Sequence, residues 1–503
     1  MLITDPNELN QYATPYRIWQ GIPGIEVTKN GRIFVSFYGG GTDEGPGNVC
    51  YLAKSDDGLN FSEPIAAAFY EAGRCFDSGI WIDPLGRLWF YWSVMPKKGV
   101  YATICDDPDA HTLTWSKPFF IGHEIMLNKP IVLSSGEWLF PVASWDAWIM
   151  RLPILDSYYD SDAETGSFVY RSLDQGRTFE KLGAANIIER LFDEHMVLEL
   201  MDGRLAMFVR TRYGIGVSYS LDKGVTWSDG VDSGLGGPNS RFHIRRLRSG
   251  RVLLINHINF TGRNNLTALL SEDDGKTWAY KLLLDGRCDV SYPDAVEASD
   301  GFIYVAYDRE RGAGLFNMED VYKQAREILY ARITEEDIIA GKLVNPESKL
   351  QCIVSKLGEY AGTTEGLFDG KEEAKKNATA NVFLEKYADD LPNMLAHFCP
   401  VALDKMCAED CQEFDRLALL LNLLPDKKSD ILKQMLALIR GAACEPSCMS
   451  MEERVKTICE NLAEDVTEEE LAKKLGVSIY HMRYQFLKST NMTVGEYLTE
   501  RKV

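Results

Sequence analysis

Positive charge is in short supply in this chain. Its 503 residues hold 54 lysines and arginines against 74 aspartates and glutamates, a formal net charge of -20. That balance argues against non-specific affinity for nucleic acid or for an anionic membrane surface. Long apolar runs are also missing. No stretch reaches the roughly 18 apolar residues that a membrane-spanning helix needs, so no membrane partner is expected. The opening MLITDPNELNQYATPYR has no basic segment followed by an apolar one, which predicts no secretion signal and a cytoplasmic location. Cysteine is sparse, 11 in all, odd in number and concentrated in the last third, which reads as reduced thiols and not a disulfide scaffold. No HExxH or EF-hand motif occurs in the first 350 residues, so neither a metal nor a cofactor is expected there. What remains is a chain long enough for two or three separate cores.

One phrase recurs. SLDKGVTW begins at Ser220, SEDDGKTW at Ser271 and SLDQGRTF at Ser172, with decayed forms in SDDGLNF from Ser55 and in CDDPDAHTLTW ending at Trp115. The pattern S-x-D-x-G-x-T-W describes a hairpin turn. Its Asp accepts backbone N–H bonds, its Gly supplies a positive φ, and its aromatic packs beneath. Between the copies run GRIFVSFY, GRLWFYWSV, GEWLFPVAS, GRLAMFVRT, GRVLLINHI and GFIYVAYD, each opening on a Gly turn and rich in aromatic and β-branched residues. These read as half-buried antiparallel strands. A period of roughly 40–50 residues built of short strands is that of a propeller blade, and six such strands predict six blades. The recurring turns are structural, and the chemistry is sought elsewhere.

Turns of this kind on a six-bladed propeller resemble the Asp boxes of the sialidase (exo-α-neuraminidase) superfamily, and the resemblance covers about residues 10–340. It sharpens in DEHMVLELMDGRLAMFVR, in TGRNNLTALLSEDDGKTW, in DVSYPDAVEASDGFIYVAYD and in GTDEGPGNVCYLAKSDDG. The resemblance implies a tyrosine nucleophile at Tyr292, its base at Glu194, an acid/base at Asp43, and substrate-binding arginines at Arg210 and Arg263. A tyrosine suits a sugar acid, whose own carboxylate would repel a carboxylate nucleophile. Arginines suit that carboxylate because the guanidinium fork bonds it bidentately. One departure stands out. The family carries an arginine before an Ile-Pro pair on its first strand, and here Ile22-Pro23 follows Gly21. Arg17 and Arg241 are the replacements read from sequence, with Asp77 and Lys129 as further candidate pocket groups. Asp146, His195, His243, Asp308 and Arg309 join the polar clusters that would line a central pocket.

After about residue 350 the texture changes to polar and amphipathic helix, with EFDRLALLLNLLPDKKSDILKQMLALIRG at helical spacing. The reading is therefore multidomain: a sialidase-like propeller over 1–350, a helical linker domain over 351–460, and a helix-turn-helix over 461–503. The last segment, VTEEELAKKLGVSIYHMRYQFLKSTNMTVGEYLTERKV, resembles the first helix-turn-helix unit of AraC-type regulators. That implies a recognition helix with His481, Arg483, Tyr484 and Lys488 facing DNA. A single unit on an acidic chain would bind DNA weakly unless a homodimer paired two of them. Cys407, Cys411, Cys444 and Cys448 have i, i+4 spacing compatible with a four-thiolate zinc site, but buried free cysteines have the same look, and no metal is assigned. Two readings of function follow. The first is a retaining hydrolase of small sialosides or related sugar-acid glycosides. The second is a sugar sensor that signals to DNA, and a hydrolase or lyase on another uronic-acid or neutral sugar remains a variant of the first.

Overall fold

The structure is a computed structural model. It describes residues 1–357 except 18, 41–43, 46, 72, 96–98, 146–163 and 312–325, together with Thr467, Leu471, Phe486, Thr490, Met492, Thr493, Val494, Tyr497 and Leu498. The chain divides into two compact units, Met1–Ala361 and Gly362–Val503. The helical linker domain, the four candidate DNA contacts, the cysteine quartet and all but those nine residues of the helix-turn-helix segment lie outside the described residues, as do Asp43 and Asp146.

The first unit is a six-bladed β-propeller, each blade an antiparallel meander. From the axis outward, blade 1 runs Gln20–Val27, Ile33–Gly39, Val49–Ser55 and Ala66–Ala68, with Leu2–Ile3 added at its rim. The innermost strands of the other blades are Arg74–Ile82, Ile131–Val132, Met196–Glu199, His243–Arg246 and Val290–Glu297. Each second strand is one of the Gly-led runs read from sequence. The glycine before each, from Gly31 through Gly301, sits at a φ of +81° to +93° in the tight inner hairpin, a conformation that favours glycine. The prediction of half-buried strands needs correction here. The strands Ile33–Gly39, Leu88–Met95, Trp138–Ser144, Leu205–Thr211 and Val252–His257 are buried at every position. A blade is covered by a neighbour on both faces, so its second strand has no wet side. Trp81, Trp89, Trp138 and Phe140 interlock at one such seam with ring centroids 4.9–6.2 Å apart, a spacing suited to edge-to-face packing.

The recurring turns join the third and fourth strands of a blade. In the four serine-led copies Ser Oγ donates to Asp Oδ1 at 2.8–3.0 Å. The same Ser Oγ accepts the glycine N–H at 2.8–3.0 Å. Threonine hydroxyl bonds, and then backbone N–H bonds, hold the turn aspartates below the usual carboxylate range: Asp222 is lowered, and Asp174 and Asp273 lie at about 2.

The ring closes where blade 6 meets blade 1. Gln20 Nε2 donates to Arg326 O at 2.9 Å, Ile22 N to Asp308 Oδ2 at 2.8 Å, and Ile25 N to Asp294 Oδ2 at 2.9 Å. Arg17 belongs to this seam and not to the axis. Its side chain is 3% exposed and lies against Phe37 and Tyr51, donating to Tyr12 O, Thr14 Oγ1 and Ser355 Oγ.

Candidate active site

Innermost strands aim side chains at the axis, and here the aiming is done by strained backbone. The pairing of the first two strands slips between Gly21 and Gly24, between Phe76 and Gly79, and between Ser291 and Asp294. The residue at each slip is left-handed: Ile22 at φ 60°, Asp77 at 49° and Tyr292 at 55°. Blade 4 goes further, with Phe192, Asp193 and Glu194 consecutively at 57°, 52° and 39°. A non-glycine residue in this region costs roughly 1–2 kcal/mol. Such strain gathers where a side chain must be presented, and a bulge is a standard way to re-aim one. The blade 4 run is clamped by Asp193, which bonds Arg190 Nη1 at 2.7 Å and Ser167 Oγ at 3.1 Å and accepts Arg210 N–H on its carbonyl at 2.9 Å.

These bends bring three of the sequence-predicted residues into contact. Tyr292 Oη donates to Glu194 Oε1 at 2.8 Å. Arg210 Nη1 lies 3.0 Å from that phenol and 2.8 Å from the same carboxylate oxygen. Arg263 stands with its guanidinium carbon 5.3 Å from the Tyr292 ring centroid and donates to Asn239 O at 3.1 Å. Burial raises the Tyr292 phenol, with Glu194 adding to the rise and Arg210, Arg311 and Arg263 opposing it. The resting phenol is therefore neutral. Burial works against the charge of Arg210, yet Glu194 and Tyr292 hold its pKa above the ordinary value. Burial, and then Arg311, lower that of Arg263. Glu194 Oε2 is buried without a hydrogen-bond partner among the described residues, so one oxygen of this carboxylate is unspent.

Asp77 lines the same pocket as Glu194, with Leu127, Asn128, Phe192 and His195. Burial, and next the Glu194 charge, push its carboxyl up to about 8, so it keeps its proton at neutral pH. Trp145 and Phe192 form an edge-to-face pair at 5.2 Å, anchored by Trp145 Nε1 on Phe192 O at 3.0 Å.

Lys129 and Arg241, read from sequence as substrate contacts, do not reach this surface. Both are engaged further along the axis in a closed ionic cluster. Lys129 Nζ lies 2.9 Å from Glu26 Oε1 and 2.9 Å from Asp294 Oδ2. Arg241 is fully committed: Nε to Asn128 Oδ1 at 2.7 Å, Nη1 to Pro23 O at 3.0 Å, and Nη2 3.4 Å from Asp294 Oδ1. His243 completes the cluster 3.3 Å from Asp294, and burial lowers it to about 4. A buried cation in the axis is indistinguishable by residue type from one in the pocket above it. The link between the levels is Asn128, which donates to the carbonyls of Glu194 and His195 at 2.6 and 3.1 Å.

Sequence reasoning missed four residues at the mouth. Arg311 places its guanidinium carbon 4.3 Å from the Tyr292 ring centroid. Glu44 pairs with Arg311 at 3.4 Å and with Arg74 at 3.8 Å, and the two arginines draw its carboxyl below the usual value against the pull of burial. Asn239 holds Arg210 Nε at 2.7 Å. The available signal was positional. Arg210 sits near the end of a blade's second strand, and Arg311 lies just past the end of another, Ile303–Arg309. Among the described residues no group of three or more His, Cys, Asp or Glu is arranged to hold a metal.

Among known proteins, a family model described as a BNR repeat-like domain matches residues 31–305. In fold the chain is similar to a Dyadobacter fermentans protein of unknown function, at 20% identity over 59% of this chain and 92% of that one, with a TM-score of 0.46. It is similar to the NanB sialidase of Streptococcus pneumoniae at 15% identity, over 65% and 70% of the two chains, with a TM-score of 0.48. It is also similar to the intramolecular trans-sialidase of Ruminococcus gnavus at 13%, over 67% and 98%, again at 0.48. These likenesses carry no argument about chemistry. No curated protein matches.

Proposed function

Since the chain belongs to the BNR repeat-like domain family, we propose that it is a retaining glycoside hydrolase acting on an α-sialoside or a related sugar-acid glycoside. The observation that carries this reading is the hydrogen bond from Tyr292 Oη to Glu194 Oε1 at 2.8 Å, with Arg210 on both groups. A phenol whose pKa is raised above 10 attacks nothing at neutral pH without a base, and Glu194 is the base within reach. In the first step Glu194 takes the phenolic proton as Tyr292 Oη bonds to the anomeric carbon. The bond to the aglycone oxygen breaks, and that oxygen takes a proton from the general acid. In the second step water bonds to the anomeric carbon, giving its proton to the same acid group. The tyrosyl oxygen leaves and regains its proton from Glu194. Asp43 is proposed as the acid, in keeping with the family resemblance.

The charge around the nucleophile suits an anionic substrate. Arg74, Arg210, Arg263 and Arg311 stand among Glu44, Glu194, Asp308 and a protonated Asp77. One positive charge is left over for one substrate carboxylate. The test is release of 4-methylumbelliferone from its α-sialoside, beside a panel of uronic-acid and neutral glycosides. Turnover of a sugar-acid glycoside that collapses in Tyr292→Phe and Glu194→Gln supports the reading. Turnover that survives Tyr292→Phe, or that is confined to neutral glycosides, defeats it.

A further inference from the structure

Gly21 removes an arginine from the strand that opens the propeller, and the structure contains what fills the space. A Cβ built on Gly21 would lie 2.7 Å from Arg311 Cδ, 3.0 Å from Arg311 Cβ and 3.1 Å from Asp308 Oδ2. The first of these is shorter than a real Cβ contact and the other two are tight, so a side chain at position 21 would require Arg311 to leave its present seat. The two residues are 290 apart in sequence and meet because the ring closes between blades 6 and 1.

Asp308 fixes the arrangement. It is fully buried. Its Oδ2 accepts the Ile22 N–H at 2.8 Å and its Oδ1 accepts Ser291 Oγ at 2.7 Å, so one carboxylate pins the Gly21 bulge and the residue beside Tyr292. Arg311 Nη1 lies 3.6 Å from Asp308 Oδ2, beyond hydrogen-bond reach, and that nitrogen has no hydrogen-bond partner among the described residues. Arg210 is in the opposite state. Its Nε and Nη2 are spent on Asn239 and its Nη1 on the Tyr292–Glu194 pair. An arginine with an unspent donor and its guanidinium carbon 4.3 Å from the Tyr292 ring centroid is placed to receive a ligand, whereas Arg210 is placed to hold the Tyr292–Glu194 pair.

We infer that Arg311 is a specificity-determining residue, supplying from blade 6 the carboxylate-binding guanidinium that Gly21 withdraws from blade 1, and that Gly21 is required because Arg311 occupies its side-chain space. This rests on the sugar-acid reading above. Arg311 and Arg263 then flank Tyr292 as the carboxylate clamp, while Arg210 serves the Tyr292–Glu194 pair.

The test compares 4-methylumbelliferyl α-sialoside with its methyl ester, using wild type, Arg311→Met, Arg311→Lys, Gly21→Arg and the exchange Gly21→Arg/Arg311→Ala. Thermal unfolding of each variant confirms a folded propeller. Loss of a charge-assisted bidentate contact predicts that Arg311→Met lowers kcat/KM for the acid by roughly 10–100-fold, mostly through KM, and leaves the ester little changed. Arg311→Lys keeps part of the acid preference, Gly21→Arg alone is impaired, and the exchange regains activity over either single variant. Acid turnover unchanged in Arg311→Met overturns the inference and leaves the Tyr292–Glu194 mechanism standing. An equal loss on acid and ester also overturns it, since that would mark a residue that merely supports Tyr292. Failure of the underlying reading shows in the wild type itself, as an inability to prefer acid over ester.

Discussion

Asp294→Asn is the sharpest test of how this propeller is held together. The substitution keeps the side-chain shape and removes one charge from the axis. In the native protein Asp294 is 1% exposed. It accepts from Ile25 N at 2.9 Å and faces Lys129 at 2.9 Å, His243 at 3.3 Å and Arg241 at 3.4 Å. Burial opposes its ionisation, yet Lys129, the His243 bond and Arg241 hold its carboxyl far below the usual range. Glu26, the other anion of the cluster, is pushed the opposite way, with burial outweighing Lys129. Asp294 is therefore the anion the two cations depend on, and removing it leaves Arg241 without a carboxylate partner. Breaking one member of a buried pair costs about 3–5 kcal/mol, a large share of the roughly 5–15 kcal/mol that holds a typical domain together. All ten tryptophans lie between residues 19 and 278, so urea denaturation followed by tryptophan fluorescence reports on the propeller alone. The midpoint falls steeply in Asp294→Asn, and Lys129→Met/Asp294→Asn loses less than the sum of the two single variants because the residues share one contact. A loss below about 1 kcal/mol, or strict additivity, would refute the reasoning and mean that water or relaxation takes over the role of Asp294.

Other outcomes follow from the same geometry. Asp77 titrates at about 8 in the folded chain against an ordinary 3.8, so the folded state binds more protons between those values and stability falls as pH rises through them. Asp77→Asn removes that slope and gains most stability at pH 9, as denaturation midpoints across pH would register; an unchanged slope argues against a buried neutral acid. His195 behaves oppositely. Burial lowers it from 6.5 to about 4, its stabilising contribution is present above 6.5, and it is lost as pH falls toward 4. His195→Gln flattens the acid limb of the same curve. Asp222→Ala removes bonds from Ser220 Oγ, Thr226 N and Thr226 Oγ1 in one recurring turn. It lowers stability by about 1 kcal/mol in calorimetry and leaves kcat unchanged; a drop in kcat would give that turn a role in chemistry.

Much of the architecture was written plainly in residue order. The six Gly-led runs became the six second strands, because each needs a left-handed glycine in its inner hairpin and an apolar surface toward both neighbouring blades. Tyr292, Glu194 and Arg210 were legible only through the resemblance of their stretches to the sialidase family, and the structure brings the three into contact. Backbone strain was not legible. Nothing in DEHM announces three consecutive left-handed residues, yet those angles bring Glu194 within 2.8 Å of Tyr292.

The cations were the hardest to place, for a reason specific to closed rings. Residue type says that Arg17, Lys129, Arg210, Arg241 and Arg311 are charged, but charge alone does not tell a seam from an axis or an axis from a pocket. Arg17 was the nearest arginine to Gly21 along the chain, only four residues away, and it turns outward into the seam. Arg311 is 290 residues away and fills the space a side chain at position 21 would need. In a propeller the first and last blades share a wall, so a position on the opening strand has its spatial neighbours at the far end of the repeat. A motif broken on that strand can therefore be repaired from either neighbouring blade or from the residues directly across the axis. Of these, the closing blade offers the lower-cost solution, because its second strand already ends at the mouth and a single buried carboxylate, Asp308, ties both walls together. The same reasoning predicts that Asp308→Asn loosens Tyr292 and Arg311 together. Turnover of acid and ester both fall in that variant, whereas Arg311→Met affects the acid alone, and a variant of Asp308 that spared the ester would break the link between the walls on which this account depends.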